Sequence, residues 1–163
     1  MKQINLCIII ACMAGCYSAD PQKTGKEGKP IPEFSMLLTD STTWLNTNKL
    51  VSGKSIALFY FSPYCPYCKA QAKEIIEDID QLKDINFYFI SSFPMPAIKA
   101  FQKEYQLSRY ANIITGMDTS TFVSDYFEIP GVPYIAIFNR DKKLNKTFLG
   151  KVYSSQIKKV AQE

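Results

Sequence analysis

Ser55-Ile56-Ala57-Leu58-Phe59-Tyr60-Phe61-Ser62-Pro63-Tyr64-Cys65-Pro66-Tyr67-Cys68-Lys69 is the stretch on which the reading of this chain turns. From Ser55 to Phe61 it is a continuous apolar run rich in β-forming residues. A run without polar alternation fits a strand buried on both faces, as in a parallel-type sheet. Two cysteines with two residues between them follow the strand. Apolar positions then recur at Cys68, Ala72, Ile75, Ile76, Ile79 and Leu82, which marks one helical stripe. Ile85 to Ile90 is a second apolar run. Strand, helix and strand at this spacing make a βαβ unit.

The position of the cysteines has a chemical consequence. Cys65 lies where the strand ends and the helix begins. Free backbone N–H groups and the positive end of a helix favour an anion there, so the Cys65 thiolate is the expected nucleophile. Pro66 suits the first helical turn, which needs no N–H. Cys68 falls about one turn in, on the buried stripe, and is the expected shielded partner. Cys65 would attack a substrate disulfide and Cys68 would resolve the mixed disulfide, leaving the pair oxidised. A zinc site needs two further ligands, and the chain contains no histidine and no cysteine beyond Cys68. No metal is therefore expected. The missing histidine also rules out Ser–His and Cys–His dyads.

Downstream, a helix is expected from about Ala97 to Tyr105 with Pro96 at its start, a short strand at Asn112-Ile113-Ile114 and a short helix from Ser120 to Tyr126. Tyr134 to Phe138 reads as a third strong strand. Asn139 to Lys143 is a hairpin turn by composition, and Leu144 to Leu149 the returning strand. Ser154 to Gln162 can close the domain as a helix. The aromatic residues fall mostly inside strand runs and read as core. Ahead of the first strand, Ile31 to Leu38 is a short extended segment followed by turn residues.

The remainder of the N-terminus reads as an address. Lys2 precedes an apolar run from Leu6 to Met13, too short to cross a bilayer as a helix but suited to a secretory signal. It ends at Met13-Ala14-Gly15-Cys16, which resembles a bacterial lipobox with Met13 where Leu is usual. The division expected is a signal over 1–15, a flexible tether over 16–30 and a folded domain over 31–163, with Cys16 lipidated. The tether, poor in large apolar residues, would span about 50 Å fully extended. The 163 residues thus hold one domain, and 47% hydrophobic with 21% charged residues is ordinary for a globular chain. The net charge of +4 forms no basic stripe, so no nucleic-acid partner is expected.

From Ile31 onward these residues resemble the thioredoxin superfamily, most closely its membrane-anchored TlpA/ResA-like (AhpC/TSA-type redoxin) branch. The features that carry the resemblance are Pro32-x-Phe34-x-x-Leu37, Cys65-Pro66-Tyr67-Cys68, the helix and strand inserted before the last hairpin, and Gly131-Val132-Pro133. The resemblance implies an α/β, thioredoxin-like fold: a central mixed β-sheet flanked by helices, with an N-terminal β-hairpin. It implies dithiol–disulfide exchange by a redox-active Cys65–Cys68 disulfide without a bound cofactor. It also implies a cis Val132–Pro133 bond beside the sulfurs, with Val132 offering its backbone to a substrate strand and Pro133, Pro66 and Tyr67 completing the substrate contact. Expected partners are disulfides or dithiols of exported proteins, a membrane redox partner, and the lipid bilayer through Cys16. The expected location is the cell envelope, facing the periplasm or extracytoplasmic space.

Three positions depart from the family pattern. Phe59 stands where thioredoxins carry a buried Asp, Lys73 where a helix-kinking Pro is common, and Gln71 where ResA-like reductases favour Glu. Two other functions remain open on the sequence. One is a peroxiredoxin-like thiol peroxidase, because Ser62 sits three residues before Cys65. The other is a non-catalytic lipid-anchored binding module. The direction of electron flow is not set by the motif.

Overall fold

A computed structural model describes residues 18–50 and 53–163. The signal and Cys16 lie outside the described residues. The strands are β1 (Pro21–Gln22), β2 (Ser35–Leu38), β3 (Trp44–Asn46), β4 (Ser55–Tyr60), β5 (Ile85–Ser91), β6 (Ile113–Met117), β7 (Tyr134–Phe138) and β8 (Leu144–Leu149). The helices are α1 (Pro66–Glu77), α2 (Met95–Glu104), α3 (Phe122–Phe127) and α4 (Ser154–Ala161). The strands form one mixed sheet in the order β1-β8-β7-β4-β5-β6-β2-β3. β4, β5 and β6 run parallel, while β7, β8, β2 and β3 pair antiparallel to their neighbours. β2 and β3 are the expected N-terminal hairpin.

Every residue of β4 is buried, as its unbroken apolar run requires of a central strand. The strand alternates between two cores. Ala57, Phe59 and Phe61 face α1, α2 and α4, packing with Ala72, Ile75, Phe101 and Ile157. Ile56, Leu58 and Tyr60 face the hairpin and α3, packing with Phe34, Met36, Val123 and Phe127. Phe59 lies at the centre of the first core, 4.7 Å edge-on from Phe89 and 5.6 Å from the stacked Phe61 ring. An apolar ring thus fills the place where thioredoxins carry a buried Asp.

Several elements depart from expectation. α2 begins at Met95, because Pro96 occupies its first turn, where a missing N–H costs nothing. β6 runs on through Thr115-Gly116-Met117. Gly116 permits this, since a Cβ there would stand 3.0 Å from the Leu37 carbonyl oxygen of neighbouring β2. The stripe after the cysteines is not one helix: α1 ends at Glu77, and Ile79–Leu82 forms a separate 3-10 turn.

The largest departure concerns the expected tether. From Ser18 to Pro30 the chain lies along the outer edge of β8. Pro21 and Gln22 pair with Phe148 and Thr147, and Pro30 bridges Lys143. Ala19 is buried and its N–H donates to the Lys151 carbonyl at 2.9 Å. The Ser18 hydroxyl donates to Gln156 Oε1 at 2.7 Å. The composition is that of a linker, but β8 presents unpaired backbone groups that a neighbouring strand satisfies whatever its side chains.

Candidate active site

α1 opens directly from the loop after β4. Cys65 is its N-cap residue, in extended backbone conformation, with Pro66 at the first helical position. The Lys69 N–H donates to the Cys65 carbonyl at 3.0 Å, and the Cys65 N–H to the Ser62 carbonyl at 3.2 Å. The Ser62 hydroxyl accepts from the Tyr64 N–H at 3.3 Å, so this serine side chain is engaged in the turn. The nucleophile candidate thus sits on a tight turn at the N-terminus of a 12-residue helix.

Both cysteines are thiols. Cys65 is partly exposed and Cys68 is 0% exposed. Burial pushes the Cys68 thiol far above the ordinary thiol range, with the neighbouring Cys65 adding to the rise and the Ser62 backbone opposing it. At neutral pH Cys68 is therefore protonated.

The loop before β7 closes the site. The Val132–Pro133 peptide bond is cis. The Cys65 thiol donates to the Val132 carbonyl at 3.6 Å. A groove of about 440 Å³ opens beside this contact, lined by Tyr67, Val132, Pro133, Leu149 and Lys151, with Gly131 and Gly150 between them. Tyr67 is 67% exposed and Tyr64, packed edge-on against Phe93, is 71% exposed. The structure therefore brings together Cys65, Cys68, Tyr67, Val132 and Pro133. Pro66 lies exposed at the head of α1.

Sequence reasoning passed over the far wall of this groove. Gly150 adopts a φ of +101°, and its N–H donates to the Pro133 carbonyl at 2.8 Å. A glycine directly after a strand was the available signal. The segment that follows is fastened to α1. Gln71, fully buried, donates through Nε2 to the Val152 carbonyl at 3.0 Å and accepts from the Val152 N–H at 2.6 Å. Glu74 accepts from the Ser154 N–H at 3.1 Å and forms an ion pair with Lys151. Gln71 is thus a structural clamp, and a neutral amide suits it because one side chain must both give and accept.

A partly exposed and a buried thiol lie on one helical turn, with a cis-proline loop against the outer sulfur, an arrangement that fits a thioredoxin-like oxidoreductase. The comparisons agree: the Redoxin family model matches residues 26–162, and the chain belongs to this family of thioredoxin-like oxidoreductases. A curated relative, "Probable nucleoredoxin 3" of Oryza sativa subsp. japonica, is 30% identical over 100 residues, covering 60% of this chain. The match spans only 21% of that larger protein. Among solved structures, the peroxidoxin BcpB of Mycobacterium tuberculosis superposes with a TM-score of 0.70 at 15% identity, covering 84% of this chain and 96% of that one. A secreted disulfide oxidoreductase of Mycobacterium tuberculosis, homologous to E. coli DsbE, gives 0.64 at 17% identity, covering 79% and 94%. At these identities the two structures show the fold.

Proposed function

We propose that this chain exchanges dithiols and disulfides with exported proteins, from a position anchored to the cell-envelope membrane by lipid on Cys16. The observation that carries the reading is the partly exposed Cys65 thiol against the Val132 carbonyl, with a fully buried thiol one helical turn away. The secreted oxidoreductase that shares the fold supports the extracytoplasmic setting. Among the described residues no helix is long and apolar enough to cross a membrane, so the attachment rests on the lipobox at Met13-Ala14-Gly15-Cys16.

In the reducing direction the Cys65 thiolate attacks one sulfur of a client disulfide. The client's other sulfur leaves as a thiolate and takes up a proton. Cys68 loses its proton and attacks Cys65, which releases the second client thiol. Two electrons pass to the client, whose two sulfurs are protonated from solvent as Cys68 gives its proton up to solvent, and the chain is left with a Cys65–Cys68 disulfide. The oxidising direction reverses these steps, and a membrane redox partner resets the pair in either case. The two sulfurs supply all the redox chemistry, with no cofactor and no metal. The Val132 backbone pairs with an extended client segment as an added strand does, while Pro133, Pro66 and Tyr67 flank it.

Trapping tests the assignment. Cys68→Ser should accumulate mixed disulfides between Cys65 and exported proteins, and Cys65→Ser should not. The opposite pattern, or adducts from neither variant together with failure to reduce insulin disulfides, would refute the reading.

A further inference from the structure

The strap along β8 has a direction. At one end of the sheet, Lys29 accepts from the Leu144 N–H at 2.9 Å and the Ile31 N–H donates to the Lys142 carbonyl at 2.8 Å. At the other end, Ala19 is bonded to Lys151 and Ser18 to Gln156. That second end is the pole that carries Cys65. Lys151 lines the groove beside the nucleophile, and Gly150, next to it, is bonded to Pro133. Val132, one residue earlier, carries the carbonyl that touches Cys65. Ser18, bonded beside Ala19 to the segment that follows Gly150, therefore lies at the active-site pole, beside the groove.

Resting on the lipid-anchor reading above, we propose that the partner of this pole is the bilayer surface: Cys65, Tyr64 and Tyr67 face the lipid headgroups. Only Tyr17 separates Cys16 from the strapped Ser18. Two residue steps reach about 7 Å at full extension, against about 50 Å for a free tether of the length the sequence suggested. The headgroup layer of one leaflet is itself about 6 Å thick. The acylated residue thus holds the end of the strap at headgroup level. Tyr64 and Tyr67 are two of the three exposed large hydrophobic side chains among the described residues, and both flank Cys65. Tyrosine, with an apolar ring and a polar tip, is suited to the membrane–water interface. The client class follows. Disulfides within membrane proteins, or held at the lipid surface, reach Cys65 directly, whereas a bulky soluble protein meets a site turned toward the membrane.

The test compares two mature acylated chains, each beginning at Cys16, in the same phosphatidylcholine–phosphatidylglycerol vesicles. One is native and the other carries a long Gly-Ser linker between Tyr17 and Ser18. Cys65 is the thiol open to reagent, since Cys68 is buried, the Cys16 sulfur is acylated, and Cys7 and Cys12 are removed with the signal. The readout is its modification rate with a maleimide on a large polyethylene glycol and, separately, with iodoacetamide. The native chain should react several-fold more slowly than the linker chain with the large reagent, and equally with the small one. Equal rates with both reagents would overturn the proposal. Mass spectrometry of the native N-terminus separates the two ways of failing. An acylated Cys16 with an open Cys65 overturns this inference alone, and an N-terminus without acyl chains overturns the anchor reading and this inference together.

Discussion

Replacing Gln71 by Glu should make the stability of this chain depend on pH in a way the native chain does not share. Gln71 is fully buried and clamps Val152 by giving one hydrogen bond at 3.0 Å and accepting another at 2.6 Å. A protonated glutamic acid can do both, with its O–H in place of the amide donor. An ionised one cannot: it faces the Val152 carbonyl with negative charge and leaves that oxygen without its donor. Burial therefore raises the folded-state pKa of the new carboxyl above its unfolded value of about 4.3. The penalty relative to the native chain is below about 1 kcal/mol under acid conditions, where both states are protonated. It grows by up to about 1.4 kcal/mol per pH unit above pH 4.3 and levels off once the folded-state carboxyl ionises. A rise of two to three pH units in that pKa corresponds to about 3–4 kcal/mol at neutral pH. Urea unfolding of both chains at a series of pH values from about 4 to 8 measures the difference directly. A penalty that stays constant across this range would refute the clamp. Position 71 also shares a helical face with Cys68, so the ionised variant offers the buried thiol a proton acceptor, and mixed-disulfide resolution should speed up as stability falls.

The unfolding free energy of the reduced native chain should fall as pH rises above the ordinary thiol pKa of about 8.5, because Cys68 keeps its proton when folded and loses it when unfolded; urea titrations should show Cys68→Ala flattening this decline below about pH 10, where the buried tyrosines enter. Gly116→Val should destabilise by about 1–3 kcal/mol in denaturant unfolding, since even its Cβ would press on the Leu37 carbonyl at 3.0 Å. Phe59→Ala should cost about 3–5 kcal/mol by the same measurement, by emptying the ring-filled centre beneath the active-site helix.

The central sheet was legible because its strands are buried on both faces and leave an uninterrupted apolar record, as Ser55 to Tyr60 and Tyr134 to Phe138 do. The placement of the two cysteines was legible because both stand on one turn at the head of the helix, and Gly131-Val132-Pro133 marked the loop that meets Cys65. What escaped were contacts carried by backbone. Nothing in Pro21-Gln22 distinguishes a linker from a strand, because its partner β8 reads only its N–H and C=O groups. Gln71 could be recognised as a departure from the family, but its partner Val152 lies far along the chain, and no local pattern joins them. The short strand at Asn112-Ile113-Ile114 could not be extended through Gly116 without knowing that β2 approaches there.

The strap has a further consequence for how copies of this protein behave in a crowd. Without it, the six residues of β8 would form a long open border of the sheet. With it, the two outermost strands are β1, of two residues, and β3, of three. Short borders give little template for edge-to-edge pairing between molecules. Proteolytic clipping near Gly25 and Gly28, both exposed, would free the segment and uncover β8. The clipped protein would keep its thiols and its groove yet gain a tendency to join its neighbours sheet to sheet, so that loss of solubility would precede loss of chemistry.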